Sequence, residues 1–389
     1  MASQNFQTAA IRTQTNRTQF SEHSTPLYLT SSFVFDDAED MRASFSEEKE
    51  KNLYSRFSNP NTTEFIEKVT AMEGAESGYA FATGMAAIFS TFGALLSSGD
   101  HIISARSVFG STHTLFTKYL PKWQITTSYF DINKPENIEA LITSNTKILY
   151  VESPTNPAID IIDLSYLGTI AKKHNIILIV DNCFATPYIQ NPIEHGASLV
   201  IHSATKLMDG QGRVLGGIVV GNSELIRDIY LFARNTGPAM SPFNAWVLSK
   251  SLETLPIRLE KHCENALEVA KFLEKSSKVN WVKYPFLKSH PQYDVAKKQM
   301  KLGGSIVAFE IKGGIDSGRK FLNALNMCSL SANLGDTRTI VTHPASTTHS
   351  KLNIEDRLEV SITDGLVRVS VGLENIKDII DDLSQALSK

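Results

Sequence analysis

Chemically useful side chains stand at the ends of apolar runs in this sequence. IILIVD closes on Asp181, and KILYVE runs into Glu152, Ser153 and then Pro154-Thr155-Asn156-Pro157. SLVIHSATK closes on Ser203, Thr205 and Lys206. If these runs are parallel strands of one sheet, their carboxyl ends share a rim where ligands bind. An acid, an amide, two hydroxyls and a lysine then converge. Lys206 follows an apolar strand and precedes the glycine-rich LMDGQGRVLGG. Desolvation there lowers an amine's pKa, which a Schiff-base lysine requires. By position alone, Lys206 reads first as a surface lysine snorkelling from a strand end.

Together the residue types fit one chemistry. Pyridoxal phosphate needs an imine lysine, a carboxylate at its ring nitrogen and a phosphate cup. Asp181 can keep the ring nitrogen protonated, so that the ring accepts electrons from a carbanion. Ser203 and Thr205 can donate to phosphate. Thr83-Gly84-Met85 opens a predicted helix, whose free N–H groups suit the same anion. Taken singly, Asp181 fits a capping or turn role equally well, and Gly84 fits close packing.

The elements that must hold these residues follow from the pattern. The chain has 389 residues, a length for two to three domains. With 38 basic against 41 acidic residues it lacks the basic excess of a nucleic-acid binder. Its 42% hydrophobic and 20% charged content excludes wholesale disorder. Cys183, Cys263 and Cys328 are far apart with no CxxC, so neither a disulfide framework nor a zinc site is expected, and a reducing, cytoplasmic setting is. The opening MASQNFQTAAIRTQTNRTQF is polar and lacks a signal-peptide core. Gly78 to Gly99 carries no charge, but its many Gly, Ala, Ser and Thr residues read as a buried strand and helix, and no membrane association is expected. The ten histidines show neither HxxxH nor HExxH, so no metal is expected. His202 is expected to order its strand end, Cys183 to be a small buried thiol, and His343 and His349 receive no role. No GxGxxG follows the early strands, which argues against a dinucleotide site.

Residues 1–61 read as an irregular, charged, turn-rich arm that packs on another subunit. From 62 to 245 the chain alternates. A helix-like run (Glu64 to Met72) and the charge-free segment precede β-rich HIISA, ITTSYF, KILYVES, IILIVDN, SLVIHSA and GGIVVG, with helical PENIEALI and LSYLGTIAKKH between them. Ile176 to Val180 is apolar throughout, as in a strand covered on both faces. The expected class is α/β with a mostly parallel sheet. Residues 246–389 read as a smaller α+β domain. A long helical region runs from Pro242 towards Lys275, SIVAFEI and LVRVSVGL read as half-buried strands, and NIKDIIDDLSQALSK as a final helix.

HSATK with Asp181 upstream, VESPTNP, YSRFSNPN, ATGMAAI and LVRVSVGLE together resemble the Cys/Met-metabolism (transsulfuration) family of fold-type I pyridoxal phosphate enzymes, in family order from about Thr25 to the end. The resemblance implies a seven-stranded, mostly parallel sheet in the large domain and pyridoxal 5′-phosphate as cofactor. It implies that Lys206 holds the cofactor and shuttles protons, that Asp181 pairs with the ring nitrogen, and that Gly84, Met85, Ser203 and Thr205 hold the phosphate. Tyr54, also a catalytic candidate, and Arg56 would reach the phosphate of a neighbouring subunit, as a bidentate guanidinium can. A homo-oligomer, a tetramer built as a dimer of dimers, is implied. Arg368 would clamp a substrate carboxylate with help from Asn156.

Two departures from the family pattern bear on subtype. Phe109 stands where lyases of the family carry a ring-stacking tyrosine; it can stack but cannot exchange a proton. Asn333 in SANLGDTRT replaces the usual serine and counts as a substrate-binding candidate. The loop KLMDGQGRVLGG is similar to that of O-succinylhomoserine sulfhydrylases. Arg213 within it is a candidate for a succinyl carboxylate, or equally a structural loop arginine. The implied reaction is γ-replacement on a homoserine ester by sulfide. O-acetylhomoserine sulfhydrylase, cystathionine γ-synthase, methionine γ-lyase and a non-catalytic cofactor-binding oligomer are the alternatives.

Overall fold

The structure, a computed structural model, describes residues 5–348, 350 and 353–389; His349 lies outside them. The larger sheet is built from β1 (Ser77–Phe81), β2 (His101–Ala105), β3 (Thr126–Phe130), β4 (Thr146–Glu152), β5 (Ile177–Asp181), β6 (Leu199–His202) and β7 (Gly217–Gly221). Their order is β1-β7-β6-β5-β4-β2-β3. β7 runs antiparallel to both neighbours and the remaining pairs are parallel, as expected. The apolar run of β5 is explained by its two covered faces. Leu178 and Val180 enter one hydrophobic layer with Leu149 and Val151, and Ile179 enters the other with Ile102, Ile148 and Ile201.

The charge-free segment is the expected strand and helix: β1, then Gly84–Leu95. Among the described residues no helix is long and apolar enough to cross a membrane. Thr83 caps this helix, its hydroxyl accepting from the Ala86 N–H at 3.0 Å. The Pro60–Glu73 helix starts with an Asn59–Thr62 capping box.

The smaller sheet has the order β10-β11-β12-β9-β8, with β8 (Val279–Lys283), β9 (Ile306–Ile311), β10 (Ser329–Leu330), β11 (Ile340–Thr342) and β12 (Leu366–Ser370). β9 and β12, expected to be half-buried, are buried on both faces. Val307, Phe309, Val367 and Val369 pack on the helices Leu255–Glu274 and Ile376–Leu387. Ile306, Ala308 and Leu366 pack against Ile159, Phe184 and Leu334 on loops that reach the rim of the larger sheet. That second contact fixes the two sheets around one cleft.

Three other expectations need correction. PENIEALI forms two 3₁₀ turns, Pro135–Asn137 and Glu139–Leu141, because so short a stretch cannot offset helix nucleation. The long helical region breaks at Glu253–Thr254 into Pro242–Leu252 and Leu255–Glu274, with Pro256 in the first turn of the second. The arm is not wholly irregular: it contains helices Phe6–Arg12 and Ala38–Phe45. The first docks through fully buried Ala10 and through Phe6, whose ring centroid is 5.1 Å from that of Tyr188.

Asp382 on the last helix accepts from the backbone N–H groups of Asn326, Met327 and Cys328 at 2.8–3.0 Å, fixing the approach to β10. Burial pushes this carboxyl up, but those three donors and Gln385 outweigh it and bring it to about 2. A depressed folded pKa stabilises above the unfolded value near 4 and stops doing so as pH falls through the folded one. Asp382→Asn is therefore expected to remove on the order of 2 kcal/mol at pH 6. The difference from the parent should vanish between about pH 4 and pH 2, as read by urea unfolding.

Candidate active site

The cavity of interest opens at the carboxyl ends of β4, β5 and β6, with β12 of the smaller sheet opposite. Parallel pairing of β4 and β5 sets Glu152 beside Asp181 in register. Residues so paired project on the same face, and both line the cavity. Asp181 accepts from the Cys183 N–H at 3.1 Å and from the Tyr150 hydroxyl at 3.4 Å. Burial pushes its pKa up to about 6, against the pull of the Cys183 N–H, His202 and Tyr150.

Lys206 lies in the turn after β6, and its amine donates to Asn333 Oδ1 at 2.5 Å. Burial lowers the amine's pKa below the ordinary lysine value, with the Arg368 charge adding to the effect and Cys183 opposing it. The loop bearing Asn333 lies directly over Lys206 because Gly335 (φ +75°) has no side chain: a Cβ there would be 2.7 Å from the Leu207 nitrogen. The Gly335 N–H is tied to Ser370 Oγ at 2.8 Å.

Arg368, on β12, is 6% exposed. Its guanidinium donates to Asn156 Oδ1 at 2.8 Å, to the Asn333 carbonyl at 3.1 Å and to Thr342 Oγ1 at 3.4 Å; Nε is buried without a partner. Among the described residues no carboxylate forms an ion pair with it, and burial lowers its pKa to about 10. A buried cation held only by neutral groups, an amide, a carbonyl and a hydroxyl, is a receptor for an anionic group of a ligand.

The opposite end of the cavity suits phosphate. Gly84 and Met85 begin a helix and line the cavity beside Ser203. First-turn N–H groups have no intrahelical acceptors. A Cβ on Gly84 would lie 2.7 Å from Ser203 Cβ, so glycine keeps this cradle open. A desolvated lysine, a buried acid on a neighbouring strand, a helix start with a hydroxyl, and Phe109 along the wall together fit pyridoxal phosphate.

Lys206, Asp181, Gly84, Met85, Phe109, Asn156, Ser203 and Arg368 thus share one cavity, and Asn333 bridges Lys206 and Arg368. Thr205 and Arg213 are not brought there. The Thr205 hydroxyl exchanges hydrogen bonds with the backbone of Gly216. Arg213 pairs with Asp209 at 2.9 Å and donates to Ser251, contacts that a structural loop arginine makes. Tyr54 and Arg56 lie away from the cavity of their own chain, and Arg56 donates to the Arg234 carbonyl and stacks on Phe57. His343 bonds Ser346 and the Asp364 carbonyl, a structural position.

The sequence reading gave no role to Glu152, and it treated Cys183 as a bland thiol although it lines the cavity. It also missed a buried amide network behind the strand ends. Asn182 donates to the Gln190 carbonyl at 2.8 Å, Gln190 to the Ser153 carbonyl at 2.7 Å, and Gln299 to Gln190 Oε1 at 3.0 Å. His202 meets Glu73 there at 2.6 Å and so orders its strand end, as expected. The signal was present: Ser153 and Asn182 directly follow the two strand-end acids.

Comparison with known proteins agrees with this geometry. A family model described as Cys/Met metabolism PLP-dependent enzyme matches residues 7–388. The chain is 45% identical to an O-succinylhomoserine sulfhydrylase of Pseudomonas aeruginosa, over 98% of this chain and 95% of that one. It is 44% identical to an L-methionine gamma-lyase of Porphyromonas gingivalis, over 98% and 96%. A crystal structure of a Campylobacter jejuni protein described as an O-acetylhomoserine (thiol)-lyase by assignment, bearing N′-pyridoxyl-lysine-5′-monophosphate, superposes with a TM-score of 0.95 at 34% identity, covering 99% of this chain and all of that one.

Borohydride reduction of the protein with pyridoxal phosphate, followed by peptide mapping, should place the label on Lys206 and leave Lys206→Ala unlabelled. Because burial lowers this amine's pKa, labelling of the apoprotein should reach its plateau below the pH of about 10.4 that an ordinary lysine requires.

Proposed function

The chain belongs to the Cys/Met metabolism PLP-dependent enzymes and its cofactor is pyridoxal 5′-phosphate; from that premise we propose that it replaces the succinyloxy group of O-succinylhomoserine with sulfide. The Cγ–O bond breaks, succinate leaves, a Cγ–S bond forms, and homocysteine is the product. The observation that carries an amino-acid substrate is Arg368, a buried cation with no acidic partner among the described residues, in the same cavity as Lys206 and Asp181. Support for the subtype comes from the relative of that activity at 45% identity and from phenylalanine at position 109.

When bound, the cofactor supplies an electron sink for charge developing at the substrate's Cα and then Cβ. The roles we assign to this chain's residues follow from their chemistry. Asp181 holds a proton on the ring nitrogen. Gly84, Met85 and Ser203 bind phosphate through N–H and hydroxyl groups. Arg368 binds the α-carboxylate bidentately while Asn156 holds the guanidinium. Lys206 Nζ, freed by the incoming substrate, removes the Cα proton and later returns protons, held near its station by Asn333. Phe109 on the cavity wall would stack on the bound ring and has no proton to exchange, which leaves Lys206 as the base.

We also infer a homo-oligomer in which the arm carries Tyr54 and Arg56 to a neighbouring cavity, and a division of the chain into the arm 1–61, a large domain 62–245 and a small domain 246–389. A second reading, methionine γ-elimination, is favoured by the relative of that activity at 44% identity.

Purified protein given O-succinylhomoserine and sulfide should release homocysteine faster than it does with the acetyl or phospho ester, and cysteine should replace sulfide poorly. α-Ketobutyrate and methanethiol from methionine at a higher kcat/KM would establish the second reading instead. Arg368→Leu should raise KM for the ester by ~10²-fold with a smaller change in kcat, since it removes a charged clamp made to the substrate throughout.

A further inference from the structure

One ionisable group of the cavity has no part in the scheme above. Glu152 ends β4, is 6% exposed, and lines the cavity next to Asp181. Adjacent strands stand about 4.8 Å apart, and these two residues are register partners. The Glu152 carboxyl therefore has a like group as its neighbour in the same cavity. One of its oxygens accepts from the Phe109 N–H at 2.5 Å, so Glu152 anchors the residue whose ring forms the cavity wall.

The surroundings of the two acids differ. Asp181 has two donors, the Cys183 N–H and the Tyr150 hydroxyl, with His202 of β6 near enough to favour its charge. Among the described residues, Glu152 accepts from the Phe109 N–H alone. The other ionisable groups at hand are Tyr150 on β4, Cys183 after β5, Lys206 after β6 and Arg368 on β12. Lys206 is taken by Asn333 and Arg368 by Asn156, Asn333 and Thr342, so neither cation is spent on Glu152.

Two neighbouring buried carboxyls do not both ionise; one keeps the proton. The cofactor's ring nitrogen makes its demand on Asp181, which leaves the proton to Glu152. We propose that Glu152 is a positioning residue: a neutral carboxylic acid that fixes Phe109 against the cofactor ring and leaves Asp181 as the cavity's one carboxylate charge. Burial and the Asp181 charge both push Glu152 far above the usual carboxylate range, in accord with this assignment. The inference depends on the cofactor and not on which homoserine ester is used.

The test uses holoenzyme, with Glu152→Gln and Glu152→Ala. Glutamine keeps the acceptor for the Phe109 N–H and the absence of charge; alanine keeps neither acceptor nor volume. Alanine should weaken retention of pyridoxal phosphate about tenfold and diminish the visible circular dichroism of the bound cofactor, as expected when a buried N–H loses its partner. Glutamine should restore both to within about threefold of the parent. Infrared difference spectra of the parent at pH 8 should contain a protonated-carboxyl band that disappears in Glu152→Gln. Glutamine performing as badly as alanine, or a band that is missing from the parent or persists in Glu152→Gln, would overturn the proposal. The infrared reading of the parent and of the near-isosteric glutamine variant keeps the test valid should the alanine variant fold poorly. No readout requires O-succinylhomoserine, so failure of the substrate assignment would be seen separately.

Discussion

A buried arginine and a half-buried lysine and aspartate surround one cavity without pairing to each other, and the rest of the architecture serves that arrangement. Removing such charges from water costs several kcal/mol each. Salt bridges would offset the cost but would neutralise the groups that have to act on a ligand. This chain uses dipoles instead. Lys206 is held by an amide oxygen, Arg368 by an amide, a carbonyl and a hydroxyl, and Asp181 by an N–H and a phenol. Each group stays solvated by protein and available to a ligand of opposite charge.

Meeting that constraint requires two sheets. Parallel strands bring Glu152, Asp181 and the turn with Lys206 to one rim, while Asn333 and Arg368 come from the smaller sheet. The packing of Ile306, Ala308 and Leu366 on Ile159, Phe184 and Leu334 holds the two rims in contact. Behind the rim, Asn182, Gln190 and Gln299 satisfy backbone groups that would otherwise be buried without partners. The loops after β4 and β5 thereby keep one position, and Asn156 and Cys183 with them.

Much of this was legible in the sequence where local pattern and chemistry coincide. Apolar runs ending in Asp181 and in the turn with Lys206 marked buried strands, because alternate residues enter two different layers. The family motifs marked Arg368 and Asn156, which periodicity alone would have left as a strand residue and a loop residue. Legibility ended where the outcome depended on distant partners. Arg213 read equally as a ligand group or a structural loop arginine, and only the fold brings Asp209 and Ser251 against it. β9 and β12 alternate as one-faced strands do, yet loops of the other sheet cover their second face. Glu152 stood in plain view as a strand-end acid, but its relation to Asp181 and Phe109 exists only through strand register and a loop's return.

The bridges Lys206–Asn333 and Arg368–Asn156 cross from one sheet to the other. Each holds an acting group through a neutral amide, so no carboxylate has neutralised the cation before a ligand arrives. The two halves of the cleft are tied together by the same contacts that station the chemistry. A substitution that shifts one sheet against the other would therefore displace Lys206 and Arg368 together, and damage to packing would be felt as damage to the site.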